Sequence, residues 1–164
     1  MRPRLAIVWW STTGGTRQLA EAAAAGAADE PGVTVALRHC DDAGPEDLLQ
    51  AAGTIFATPE HLASMAGPMK HFFDRCYYPV LDRIAGRPYA LIVCAGSDGQ
   101  GTIRQVERIA TGWRLRRIAE PLLVITHAQT PQQILAPKTI GEADLQRARE
   151  FGAAMAAGLA LGIW

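Results

Sequence analysis

Five short, almost continuously apolar runs alternate with stretches patterned for helices, and nothing else in the chain limits its fold so strongly. The runs cover residues 5–10, 33–37, 54–58, 89–95 and 122–126. Runs this short and this apolar fit strands covered on both faces, because a sheet with one wet face would show polar residues at every second position. Between them lie an Ala-rich segment at 16–28, a short segment with an acidic start at 45–52, and two apolar stripes with helical spacing. The first stripe is Met69, Phe72, Phe73, Cys76 and Tyr77; the second is Ile103, Val106, Ile109, Ala110 and Trp113. A last helix is predicted from the capping-box pattern Thr139-x-x-Glu142, with Leu145, Ala148, Gly152, Met155 and Leu159 on one face. Strand alternating with helix predicts an α/β architecture, an open and mostly parallel sheet with helices on both sides and right-handed crossovers.

The 164 residues suffice to bury a core without disulfides or metal, and no repeat, low-complexity tract or linker marks a boundary, so a single domain is expected. The longest stretch without a pattern is 127–137, marked by Pro131 and Pro137. Sixteen basic and sixteen acidic residues cancel, with no run of like charge. That balance offers neither the footprint of a nucleic-acid binder nor a polybasic membrane patch. Cys40, Cys76 and Cys94 form no C-x-x-C pair, which argues for buried thiols in a reducing compartment. His39, Cys40, Asp41 and Asp42 are metal-capable, but four adjacent residues at a strand end are not expected to face one ion, so no metal site is expected. His71 falls between stripe positions and should be solvated. The apolar run after the basic Met1–Arg4 segment is too short for an export signal, and no stretch approaches the roughly twenty apolar residues that span a bilayer. A cytoplasmic location is expected. Tyr77, Tyr78, Pro79, Val80 and Leu81 either form a contact in a homo-oligomer or pack the sheet edge.

The most informative loop follows the first run. Ser11, Thr12, Thr13, Gly14, Gly15 and Thr16 separate a buried-looking strand from an Ala-rich helix. Amides at a helix start have no partner within the helix and carry the positive end of its dipole, so they suit an anion. Gly14 and Gly15 allow close approach of the backbone, and the hydroxyls donate to phosphate oxygens. The loop has no lysine and matches neither the P-loop nor the dinucleotide fingerprint. A small monophosphate held mainly by neutral donors is expected. The spacing Ser11-x-Thr13-Gly14-x-Thr16 resembles the FMN-phosphate loop of the flavodoxin-like flavoproteins. That resemblance implies a three-layer sandwich around a five-stranded parallel sheet in the order 2-1-3-4-5, with the ligand beyond the strand ends where the order switches.

After the third run the chain reads Thr58-Pro59-Glu60-His61-Leu62, then Ser64-Met-x-Gly-x-Met-Lys70 and Phe73-Asp-Arg75; after the fourth comes Ala95-Gly96-Ser97-Asp98-Gly99. These two loops resemble those of FMN-dependent NAD(P)H oxidoreductases of the flavodoxin superfamily, the group that includes quinone reductases. The resemblance implies that Thr58, Pro59, Glu60, His61 and Leu62 run along an isoalloxazine ring, with Ala95, Gly96, Ser97 and Gly99 closing another edge. For Pro59 and Gly99, turn chemistry is an equal alternative. Trp10 either neighbours the ring or packs in the core. His61 either moves a proton or bonds the flavin, or is an ordinary loop residue.

The expectation is therefore a noncovalent FMN protein, an oxidoreductase taking electrons from NADH or NADPH and passing them to a quinone or similar small-molecule acceptor. An electron carrier of the flavodoxin type is the first alternative. A scaffold or regulator that keeps the fold is the second.

Overall fold

The computed structural model describes residues 1–164. The apolar runs become β1 (Arg4–Trp9), β2 (Thr34–His39), β3 (Gly53–His61), β5 (Pro88–Ala95) and β7 (Leu122–Ile125), with two short additions, β4 (Ser64–Met65) and β6 (Arg116–Arg117). The helices are α1 (Gly15–Ala28), α2 (Pro45–Gln50), α3 (Gly67–Val80), α4 (Gln100–Gly112), α5 (Pro131–Leu135) and α6 (Glu142–Ala160). No helix is long and apolar enough to cross a membrane.

The sheet has seven strands, not five, in the order β2-β1-β3-β5-β6, with β4 joined to β3 and β7 to β5. The first four positions follow the expected order. The fifth is divided: β6 pairs with Pro88 and Tyr89, and β7 pairs with the segment from Ile92 to Ala95. Pro121 lies just before β7 and has no N–H for a ladder, which accounts for the break. All pairings are parallel except β3 with β4.

Period-two alternation in the strands builds two cores. Leu5, Ile7, Ile55, Ala57, Ala90, Ile92 and Cys94 face α1 and α6. Val8, Phe56, Leu91, Val93 and Ala95 point the other way, against α3 and α4. β1, β3 and β5 are buried on both faces as expected. β2 is not: it is the sheet edge, half-exposed along its length with Leu37 in water. The α3 stripe stops at Cys76, because Tyr77 is exposed together with Tyr78 and Leu81, while Val80 turns inward. His71 is exposed as predicted. α6 begins at Glu142 with Gly141 at its cap, so Thr139 does not cap it; the capping box forms instead at α5, where Thr130 Oγ1 accepts from the Gln133 amide at 3.2 Å.

α1 and α6 touch backbone to backbone. A Cβ on Gly26 would collide with the carbonyl of Arg149, and one on Gly152 with the carbonyl of Ala23. Gly152→Ala should therefore lose at least ~2 kcal/mol of stability in urea unfolding, because neither backbone can yield, although alanine is the better helix former. Gly112, at the end of α4, has nothing within 4 Å of the corresponding position. Gly112→Ala should be neutral or gain up to ~1 kcal/mol, and equal effects at the two sites would refute the contact.

Candidate functional site

The ladders level the strand ends: Trp9 pairs with Ala57, and Pro59 with Cys94. The loops after β1, β3 and β5 consequently open at one edge of the sheet, around a cleft of about 610 Å³. Ser11, Thr12, Thr13, Gly15 and Thr16 line one end, and residues 59–63 and 94–97 line the rest with Thr126, Ala128, Ile134, Leu135 and Lys138.

The first loop is organised around missing partners. Gly14 sits at the cap of α1 with φ +94°, and its amide donates to Ser11 Oγ at 3.1 Å. That accepted bond leaves the Ser11 proton free to donate outward. The amides of Thr12, Thr13, Gly15 and Thr16 donate to no protein acceptor. Thr16 is buried to 1 % exposure, yet its Oγ1 has no partner. A buried hydroxyl without a bond costs about 1–3 kcal/mol, and here it lies among unpaired donors at the positive end of a helix. Those donors fit a phosphate group.

The segment after β3 is a hairpin and not an open loop. Glu60 pairs with Met65 and His61 with Ser64, leaving Leu62 and Ala63 as the two turn residues at φ 52° and 63°. Two successive positive φ values match the right-handed twist of a tight hairpin. The tip leans on α4, where a Cβ on Gly101 would strike the Ala63 carbonyl. Gln105 Oε1 accepts from Ser64 Oγ at 2.8 Å and from the Met65 amide at 2.9 Å.

Glu60 does something that the sequence did not reveal. Its carboxylate accepts from the Gly99 amide at 2.8 Å, and from the Thr102 amide and Oγ1 at 3.2 Å each. It is the internal anion for the start of α4, and it fixes the third loop to the fourth. His61 Nε2 lies 3.1 Å from Thr12 Oγ1, which accepts from Trp10 Nε1 at 3.2 Å. The Thr12 hydroxyl can donate to Nε2 or accept from it, depending on the imidazole tautomer. Partial burial lowers the His61 pKa below 6.5 and so favours the neutral ring.

The C-terminal part contributes more than fold. Lys138 donates its amide to the Thr13 carbonyl at 2.8 Å, and its carbonyl accepts from Gln18 Nε2 at 2.7 Å. Gln18 Oε1 in turn accepts from the Ile140 amide at 3.1 Å. One α1 side chain thus clamps residues 138–140 onto the end of the cleft lined by the first loop. Neither Lys138 nor the α5 residues Ile134 and Leu135 carried a motif in sequence, although the unpatterned 127–137 stretch marked where long loops tend to hold function.

Of the residues singled out from sequence, Trp10, Gly14, Thr58 and Gly99 are not on the main cleft wall. Trp10 packs on His39, ring centroids 5.1 Å apart. Thr58 is fully buried, donating to the Pro59 carbonyl at 3.0 Å and accepting from the Ala66 amide at 3.4 Å. Gly14 and Gly99 hold the left-handed caps of α1 and α4, each open to an anion from a different source. His39, Cys40 and Asp41 do bring ligand atoms within 4.8 Å of one another, because β2 ends at His39 and the chain curls into a turn; Asp42 stays outside the group.

All three thiols are buried, and desolvation raises Cys40 to about 12 and Cys76 and Cys94 to about 11. The unfolded chain releases these protons near 9.0, the folded protein only above 11. The folded state holds more protons in that window, so stability should be complete below pH 9.0 and fall as pH rises toward 11. In iodoacetamide labelling at about pH 8 the native thiols should react far more slowly than those of the unfolded chain, and fast alkylation of Cys94 in the folded protein would contradict its burial and raised pKa.

Residues 45–130, more than half of the chain, match the family described as NADPH-dependent FMN reductase. A flavodoxin of Aquifex aeolicus (strain VF5) is 34% identical over 98 residues, covering 60% of this chain and 51% of its own length. An NAD(P)H dehydrogenase (quinone) of Acidithiobacillus ferrooxidans is 30% identical, covering 44% of this chain and 46% of its own. The chain spans about half the length of these curated relatives. Among solved structures, a flavodoxin from the domain Archaea superposes with a TM-score of 0.79 at 19% identity, over 95% of this chain and 98% of that one. The flavodoxin, WrbA-like protein from Agrobacterium tumefaciens gives 0.74 at 19% identity, over 96% and 97%. Likeness at that identity concerns the fold, which is flavodoxin-like. The span from α2 through the hairpin and the fourth loop identifies the chain as a member of the NADPH-dependent FMN reductase family.

Proposed function

We propose that the cleft binds FMN noncovalently and that the protein is an NAD(P)H-dependent oxidoreductase passing electrons to a quinone or similar small acceptor. The observation that carries this reading is the set of unpaired donors at residues 12–16, with Thr16 Oγ1 buried among them. The phosphate would take the Thr12, Thr13, Gly15 and Thr16 amides and the Ser11 and Thr16 hydroxyls. The ring would lie between the hairpin and residues 95–97, against peptide planes and the apolar side chains of Leu62, Ala63, Ile134 and Leu135. A flavin held by these residues would supply the redox chemistry between a nicotinamide donor and the acceptor.

The chain's own residues position and shield. Glu60 locks the hairpin to α4, so the wall of the ring site is fixed at both ends. No Phe, Tyr or Trp lies on the main cleft wall, which leaves room over the ring for a planar second substrate. His61, within hydrogen-bonding distance of Thr12 and with its pKa lowered by burial, would accept a proton at its ring or pass one to solvent. The names of the relatives support both an enzyme and a carrier, and reaction with nicotinamide separates them.

In a fluorescence-quenching titration FMN should bind far more tightly than riboflavin, and equal affinities would remove the phosphate assignment. Thr16→Ala should weaken FMN by about five- to thirty-fold, the value of one hydrogen bond to a charged acceptor. NADH or NADPH should bleach the bound flavin anaerobically, and a quinone should restore it. If neither bleaches a flavin that dithionite reduces, the enzyme reading gives way to the carrier. The wild-type rate should fall as pH drops below about 6.5, where His61 gains its proton, and this limb should vanish in His61→Ala. A limb that survives the substitution assigns it to another group.

A further inference from the structure

The phosphate loop itself has no cation, and the geometry points to Lys138 as the residue that supplies one, donating from its ammonium to the phosphate of the bound flavin. This inference rests on the FMN reading and adds a charged ligand from a distant part of the chain. Lys138 is the one lysine or arginine on the main cleft wall. Its stem is held in place: the amide is bonded to Thr13, the carbonyl to Gln18, and a Cβ on Gly15 would stand 3.5 Å from the Lys138 Cβ. The side chain therefore rises directly beside the first residue of α1.

The ammonium has three protons and uses two. Nζ donates to the Ile134 carbonyl at 3.0 Å and to the Ala136 carbonyl at 2.6 Å, and it pairs with no carboxylate. The third proton is free. The nearby carboxylates are otherwise engaged: Glu60 with α4, and Asp144 with Arg147 at 2.7 Å. A half-buried cation with a spare donor, on a stem packed beside the first residue of α1 and on the same cleft wall as the unpaired amides, forms a site for an anion of nearly two charges. A phosphate monoester near neutral pH carries that charge. The two carbonyl bonds have a second effect, since they tie the end of α5 to the ammonium. Pairing with phosphate would hold Ile134 and Leu135 over the cleft whenever the cofactor is bound.

The test compares FMN and riboflavin binding to the purified apoprotein in wild type, Lys138→Gln and Lys138→Arg, at low and high salt. Lys138→Gln should weaken FMN by about five- to thirty-fold and riboflavin by less than about twofold. Its FMN affinity should also lose most of the salt dependence seen in wild type. Lys138→Arg should recover most of the FMN affinity. Equal losses for both ligands would mean that the lysine only secures α5, and unchanged FMN affinity would mean that its charge does not reach the phosphate; either result overturns the inference while leaving FMN binding intact. If wild-type protein binds neither ligand, the FMN reading fails and the inference fails with it. Matching thermal unfolding of the three apoproteins shows that differences in binding are not losses of fold.

Discussion

The contact between α1 and α6 sets the geometry on which the site depends. Two glycines, Gly26 and Gly152, each lie against a carbonyl of the other helix, so the axes come closer than any side chain would permit. Because α6 is pinned there, the segment before it must pass over the start of α1, and Gln18 holds it with bonds to Lys138 and Ile140. The same two helices cover the sheet face that carries Ile7, Ile55, Ile92 and Cys94. A packing requirement in the core is thereby converted into a wall of the cleft.

Two helix starts face the same region and solve the same problem differently. At α4, Glu60 satisfies the Gly99 and Thr102 amides, and the positive end of that helix is spent within the protein. At α1 no carboxylate does so, although Gly14 and Gly99 adopt nearly the same left-handed conformation, φ +94° and +80°. The difference gives the cleft its polarity. Only one end has donors to spare for an external anion, and the other is closed by a fixed negative charge.

The β–α alternation was legible because continuous apolar runs and helical stripes are local signals, and so was the loop between β1 and α1, whose glycines and hydroxyls are consecutive. What the sequence hid depends on partners far along the chain. Ser64 and Met65 read as part of a loop because the turn before them, Leu62-Ala63, lacks the Asn-Gly chemistry that marks a tight hairpin. The bonds between Glu60 and the start of α4 were hidden because its partners lie some forty residues away. Lys138 had no motif, and its role follows from the Gln18 clamp. Thr139-x-x-Glu142 has the right spacing for a capping box, yet the clamp on Ile140 holds the chain there in another path and α6 starts later. Trp10, read as either ring neighbour or core, packs partly buried against the core below α3 and α4, with its ring tilted on His39 and its indole N–H bonded to Thr12.

The hairpin shows how the site is prepared before any ligand arrives. Leu62 and Ala63 each occupy the left-handed region without being glycine, at a cost of about 1–2 kcal/mol apiece, and Leu62 is fully exposed to water. Such a turn persists only when its surroundings determine it from several sides. Here Gln105 binds the return strand, Glu60 binds the outgoing strand to α4, and Gly101 makes space for the Ala63 carbonyl. The ordering cost is met during folding, so it is not charged against binding. An apolar side chain held in water at the rim gains most when a flat ligand covers it, and thus the exposure of Leu62 favours an occupied cleft.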